Sequence, residues 1–180
     1  MFVQTEITPN PNSLKFLPGK IVSNFGSIEV TKKDDTNNEL LRNLLSINGV
    51  EGIFLGKDFI SINKYDDISW DEIKHIVISL INDFYSSGKE CVIDKSLNEK
   101  TDINLSEIEE KITKILEEKI RPAVAKDGGD IKFKEFKNGI VKVRLQGSCS
   151  GCPSSTMTLK QGVQNLLCHY IPEVKEVIAI

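Results

Sequence analysis

Histidine is nearly absent from this sequence, with two residues, and cysteine is sparse, with four, in a chain of 180. There is no second Cys-x-x-Cys pair and no Cys/His quartet of the kind that closes a structural zinc site within one chain. No Ser/His/Asp grouping, cleft carboxylate pair or phosphate-binding loop stands out, so no bond-making enzyme is indicated. Long apolar runs are missing too. The longest, Ile76-Val77-Ile78 then Leu80-Ile81, is broken by Ser79 and falls far short of the ~20 residues a membrane span needs. A basic cluster is also lacking. The net charge is -3, with the acidic excess in residues 1–104, so neither nucleic acid nor an anionic membrane is an expected partner. The opening residues, Met1-Phe2-Val3-Gln4-Thr5-Glu6, show neither the basic and apolar regions of a signal peptide nor the Arg-rich, acid-poor look of a transit peptide. A cytoplasmic location is therefore expected, where thiols stay reduced. Cys91, Cys149, Cys152 and Cys168 are then read as metal-binding, catalytic or inert rather than disulfide-bonded.

What remains is an ordinary globular composition, 39% apolar and 27% charged, enough for one medium or two small cores. The polar stretch from Gly88 to Asn104 has no sustained apolar period and reads as a boundary. It divides the chain into residues 1–88, a linker over 89–104, and residues 105–180. The fold class is α+β, as two small α+β domains. In the first half, short strands are expected over 2–7 and 14–17, separated by the Pro9-Asn10-Pro11-Asn12 turn. A hairpin of Gly52–Leu55 with Phe59–Ile62 turns at Gly56-Lys57-Asp58. One helix is expected near Glu39–Leu45. Another follows Ser69, capped by Glu72, with Ile73, Val77, Leu80 and Phe84 at helical spacing and Gly88 after its end. In the second half, Ser106 and Glu109 form a capping box ahead of the stripe Ile108, Ile112, Ile115, Leu116, Ile120. Pro122 should kink or restart that helix. Two strands joined by Asn138-Gly139 follow. In the second of them Val141, Val143 and Leu145 face a core, and Lys142, Arg144 and Gln146 face water. A helix opening at Pro153 and a last strand near Val174–Ile180 complete an α-β-β-α-β order.

The chemistry concentrates in Gln146-Gly147-Ser148-Cys149-Ser150-Gly151-Cys152-Pro153, where a strand gives way to a helix. Two thiols separated by two residues can point at one centre. Gly147 and Gly151 let the backbone bend and turn amide N–H groups toward anionic sulfur. Pro153 suits the first helical turn, and the positive helix end favours thiolate at Cys152. Four readings stay open: a single-chain zinc site, a thioredoxin-like redox pair, a pair of structural thiols, and a metal or cluster shared between two chains. Ser and Gly around both cysteines argue against a packed apolar site. Iron–sulfur clusters take four thiolates. One chain offers two, so a two-fold dimer would supply four, at an interface near solvent and without a closed protein cage.

Three stretches carry a resemblance. Arg121-Pro122-Ala123-Val124-Ala125-Lys126-Asp127-Gly128-Gly129-Asp130-Ile131, Gly147–Thr156 and His169-Tyr170-Ile171-Pro172-Glu173-Val174 closely resemble the C-terminal domain of NifU. The first half resembles the N-terminal domain of Nfu-type proteins through Gln4-Thr5-Glu6, Thr8–Asn12, Leu14-Lys15-Phe16, Gly49-Val50-Glu51-Gly52, Gly56–Phe59 and Trp70. The resemblance implies a scaffold or carrier, not an enzyme, that accepts a [4Fe-4S] cluster from an upstream assembly scaffold and transfers it to apo iron-sulfur proteins. It maps the cluster ligands onto Cys149 and Cys152, bridging two subunits of a homodimer, and it implies a bacterial source for a chain without a presequence. Cys168 and Cys91 depart from the family pattern.

Elsewhere the plain reading is the expected one. Asp127–Asp130 ends a helix, His169 and Tyr170 pack at a helix end, and Cys91 and Cys168 are not ligands. His75 is solvated, Trp70 anchors a small core, and Gly56–Phe59 is a turn.

Overall fold

The computed structural model describes residues 2–24, 26–91 and 105–180. Of the expected linker, residues 92–104 lie outside the described residues. The architecture is α+β, built on two sheets, each with its own apolar cluster.

The first sheet has five antiparallel strands: β1 (Gln4–Ile7), β2 (Ser13–Leu17), β3 (Ile28–Val30), β4 (Val50–Leu55) and β5 (Ile60–Lys64), in the order β1-β2-β5-β4-β3. Strand β3 has no counterpart in the sequence reading. Three residues are too few to display alternation. Two helices, α1 (Glu39–Leu44) and α2 (Trp70–Ser86), join this unit. Their buried residues belong to one cluster with Phe16, Ile53, Ile60 and Ile62, where each large side chain contributes about 1.5–3 kcal/mol of burial. The capping box at Ser69 and Glu72 forms as the spacing predicts. The buried stripe of α2, however, is Ile73, Val77, Ile81 and Tyr85. The expected Leu80 and Phe84 flank it half-buried. Two adjacent rows share helical spacing here, and packing selected the row one position on.

Trp70 is the small-core anchor the sequence suggests. Its ring lies 6.3 Å from Phe16, and its Nε1–H donates to the carbonyl of Pro11 at 3.0 Å. His75 is exposed.

Register decides which residues share the opposite face of this sheet. Glu6 pairs with Lys15, Lys15 with Ser61, Ser61 with Phe54 and Phe54 with Glu29. Because partners in register point the same way, these five side chains form one row across all five strands. Asn63 and Ser13 lie beside it on the same face. Apart from Phe54 the row is polar, yet only its Glu6 end is wet: Ser61 is fully buried and Lys15 is 8% exposed.

The second sheet has three strands, β6 (Gly129–Lys137), β7 (Ile140–Gly147) and β8 (Glu176–Ala179), with β7 central. Strands β6 and β7 form the expected hairpin, with Asn138 at φ 54° and Gly139 at φ 81°, as a two-residue turn of this type requires. Strand β8 returns parallel to β7 through helix α5 (Pro153–Tyr170). Helix α3 (Glu107–Ile115) starts at its Ser106/Glu109 capping box. The disturbance expected at Pro122 arrives just before it. Leu116–Ile120 is a π-helical turn, and α4 (Arg121–Lys126) restarts with proline in its first turn. Proline has no N–H to give the preceding turn and its ring crowds that turn's carbonyls, so the helix widens there.

Val141, Val143 and Leu145 face the second core, and Arg144 faces water, as alternation predicts. Gln146 does not follow, being buried. It sits opposite Asp130 in the register, at the end of the sheet where the Ser27 hydroxyl donates to the Asp130 carboxylate from the first half of the chain.

Candidate functional site

Cys149 and Cys152 lie where the sequence places them, on the loop between β7 and α5. Gly147 ends the strand at φ +68° and Gly151 turns the loop at φ +79°. The Ser150 N–H and hydroxyl both donate to the Gly147 carbonyl, at 3.1 and 2.9 Å. Cys152 is the N-cap position of α5, and its carbonyl accepts from the Thr156 N–H at 2.9 Å. The Thr156 hydroxyl donates to the Cys149 carbonyl at 3.3 Å. The loop is thus fixed to the first turn of the helix that follows it.

A second turn holds it from below. Gly128, at φ +82°, ends α4 and passes the chain into β6. Its carbonyl accepts from the Ser148 N–H at 3.2 Å, and the Ser148 hydroxyl donates to the Asp127 carbonyl. Gly129 lies so close that a methyl group there would stand 2.8 Å from Cys149 Sγ. Arg121 grips Asp130 with two hydrogen bonds, at 2.8 and 2.9 Å, a fork that fixes the start of β6. The Asp127–Asp130 segment is therefore a helix-ending turn, as read, and also the floor of the thiol loop.

The environment of the thiols differs from the expectation of a site near solvent. Cys149 is 5% exposed and Cys152 8%, and Cys149 belongs to the second apolar cluster. Burial pushes the Cys149 thiol up to about 11, against the hydrogen bond from Ser148 and with help from the Asp127 and Asp130 carboxylates. The flanking Ser and Gly residues do not keep the site open: Cys149 packs into the second core, and residues from the first half of the chain bond to the main chain of the loop.

Those covering residues escape the sequence reading. The Asn10 amide donates to the Ser148 carbonyl at 3.0 Å. Ser61 Oγ donates to the Gly128 carbonyl at 2.7 Å, and Asn63 Nδ2 to the Gly147 carbonyl at 3.2 Å. Glu29 Oε1 accepts the Gly147 N–H at 3.0 Å. Pro9 walls a cavity of about 340 Å³ beside Cys149, with Val124, Asp127, Ser148, Thr158 and Leu159. One signal was available: Phe54 interrupts a strand face that is otherwise polar, which hints that the face is covered.

The structure does not bring the other two cysteines to this loop. Cys168 packs at the edge of the second core, and Cys91 at the edge of the first. Burial pushes Cys91 up to about 11, and the Asn38 amide at 3.5 Å opposes the shift. At pH 8 Cys91 is expected to react with iodoacetamide roughly 100-fold or more slowly than an unperturbed thiol, whose pKa is ~8.5. Mass-resolved alkylation checks this, and a rate close to that of glutathione would contradict the burial. Among the described residues, no group of three or more His, Cys, Asp or Glu side chains converges as a metal site.

Comparison with known proteins gives a consistent picture. Residues 112–178 match the model of the NifU-like domain, and residues 3–88 match that of the scaffold protein Nfu/NifU N terminal. The chain is 45% identical over 184 residues to "NifU-like protein 4, mitochondrial" of Arabidopsis thaliana, covering 98% of this chain and 65% of that protein. It is 43% identical over 180 residues to the human "NFU1 iron-sulfur cluster scaffold homolog, mitochondrial", covering 98% of this chain and 71% of that one. It thus spans about two thirds of the length of these relatives. A solved NifU-like protein from Saccharomyces cerevisiae is 30% identical, with a TM-score of 0.46, over 51% of this chain and 84% of its own. The cytoplasmic, bacterial location expected from the sequence is corrected here, since these relatives are named mitochondrial. The expectation rests on the residue types of Met1–Glu6 alone, and location is set by receptor-read signals that neither those six residues nor the fold need display.

Proposed function

Because this chain belongs to the NifU-like family, with an Nfu-type N-terminal half, we propose that it is an iron-sulfur cluster scaffold whose Cys149 and Cys152, from two copies, hold one labile [4Fe-4S] cluster. The cluster is cargo, received from an upstream assembly scaffold and passed to apo iron-sulfur proteins. Residues 1–88 form the Nfu-type unit, 89–104 the linker and 105–180 the cluster-binding unit.

The observation that carries this reading is a count of ligands in one place. The two thiols share one loop at a helix start, Cys91 packs at the edge of the first cluster and Cys168 far along α5 at the edge of the second, and no third ligand among the described residues joins the pair. A cluster that needs four thiolates then takes two from each of two chains related by a two-fold axis. Relatives named as iron-sulfur cluster scaffolds support the cargo. Transfer is ligand exchange without redox change. A recipient thiol loses its proton and bonds to iron, and the Cys149 or Cys152 sulfur it displaces takes up a proton.

Anaerobic reconstitution of the reduced full chain with iron and sulfide tests the reading. The expected product is a brown dimer with about four irons per pair, by the same four-thiolate requirement. A colourless monomer with a reversible Cys149–Cys152 disulfide would favour a redox role instead. Zinc retained through purification would favour a structural metal site.

A further inference from the structure

The cross-strand row of the first sheet is itself a built surface, and its present occupant is the thiol loop of the same chain. Lys15, Ser61, Phe54 and Glu29 lie side by side across four strands. Each meets main chain of the two glycine turns. Lys15 Nζ reaches the Lys126 carbonyl at 3.5 Å. Ser61 holds the Gly128 carbonyl and Glu29 the Gly147 N–H. The Phe54 ring lies under Gly147, where an added methyl would come within 2.8 Å of it. Asn63, beside the row, holds the Gly147 carbonyl. A polar sheet face facing water needs no such pairing. Here a buried serine and a nearly buried lysine reach the main chain of the α4–β6 turn on which the Cys149 loop rests, the lysine also pairing with Glu6 at 3.2 Å.

The geometry points to a latch: residues 1–88 cap the thiol loop and must swing away before a second copy can share a cluster there. The inference rests on the reading of Cys149 and Cys152 as the cargo ligands. With both thiols under 10% exposed and Pro9 walling the cavity beside Cys149, two thiols of another chain cannot reach the same iron atoms while the cap is in place. The contacts that hold the cap are single hydrogen bonds, neutral at Asn10, Ser61 and Asn63 and charge-assisted at Lys15, at Glu29, at Asp130 (from Ser27) and at Lys132 (to Ser27), so its release is within reach of the bond energies of an assembling cluster. The cap would keep an empty pair of thiols from stray metals and oxidants, and loading would free the row.

The test uses the full chain and does not need the cluster to be read out. Alkylation of each cysteine by iodoacetamide is followed by mass in the parent and in Ser61→Ala, Asn63→Ala. Losing two hydrogen bonds from the cap, each worth a few-fold in equilibrium, should raise the Cys149 and Cys152 rates roughly tenfold or more, with Cys91 and Cys168 unchanged. Glu29→Gln, which weakens the bond to the Gly147 N–H without touching β5, should raise the same two rates a few-fold. It supplies the answer if the double variant loses its fold, which would show as faster reaction at all four cysteines. Rates at Cys149 and Cys152 that stay at the parent's level in a folded variant overturn the latch. In the same samples, visible absorbance should grow faster for the variants on anaerobic reconstitution and reach the parent's final iron content. Absorbance growing at the parent's rate would also count against the latch. Absence of a cluster in every sample, with the alkylation pattern as expected, would remove the cargo reading and leave the cap standing.

Discussion

Cys149→Ser, Cys152→Ser is expected to retain no iron or sulfide after anaerobic reconstitution and desalting, while keeping the parent's thermal transition. A serine hydroxyl does not ionise near neutrality and is a hard oxygen donor where iron in a sulfide cluster wants soft sulfur. Two-fold symmetry sharpens the effect. Each single substitution removes two of the four ligands at once, so Cys149→Ser alone should be almost as damaging as the pair. Even outer-shell partners of metal ligands are worth about 10–100-fold in metal affinity, so losing direct ligands should exceed that range. Iron and sulfide analysis of the desalted proteins decides it. The double variant carrying the parent's iron content would place the cluster elsewhere and remove the basis of the proposed function.

Gly147→Ala should lower stability by about 3 kcal/mol, and Gly151→Ala by only about 1 kcal/mol, although both glycines have positive φ. The left-handed backbone costs an alanine about 1–2 kcal/mol at either position. Only at Gly147 is there also no room. Its added methyl would stand 2.6 Å from the Gly128 carbonyl oxygen, 2.8 Å from Phe54 Cγ and 3.0 Å from Gly129 Cα. Two of those neighbours are backbone and cannot turn aside, so overpacking of about 1–3 kcal/mol adds to the strain. At Gly151 nothing lies within 4 Å. In thermal unfolding this corresponds to a drop of about 10 °C against about 3 °C, at ~2–4 °C per kcal/mol for a chain of this size. Equal drops for the two variants would mean that Gly147 is not clamped between the two halves.

Local features of this fold were legible because each depends on a few neighbouring residues. The capping boxes at Ser69/Glu72 and Ser106/Glu109, the Asn138-Gly139 turn, the proline-marked break near Leu116–Ile120 and the strand–loop–helix setting of Cys149 and Cys152 all follow from short-range chemistry. What was not legible depends on residues far apart. The contacts that hold the thiol loop and the turn below it come from Asn10, Glu29, Ser61 and Asn63, between 67 and 138 positions away from their partners. Read alone, the alternation of Ile60 and Ile62 with Ser61 and Asn63 gives a core face and a wet face. Only the register across five strands shows that the second face is a contact surface. The shift of the α2 stripe to Ile81 and Tyr85 has the same origin, since two rows fit the helical period and tertiary packing chooses between them.

The contacts from Asn10, Lys15, Glu29, Ser61 and Asn63 share one property: all of them end on main-chain atoms, at Lys126, Gly128, Gly147 and Ser148. Such atoms are common to every amino acid. The grip therefore recognises the shape of a doubly turned ribbon and not the letters written on it. Side chains along that ribbon can drift over generations without loosening the hold, provided the two bends survive. The burden of invariance falls on the glycines that make the bends.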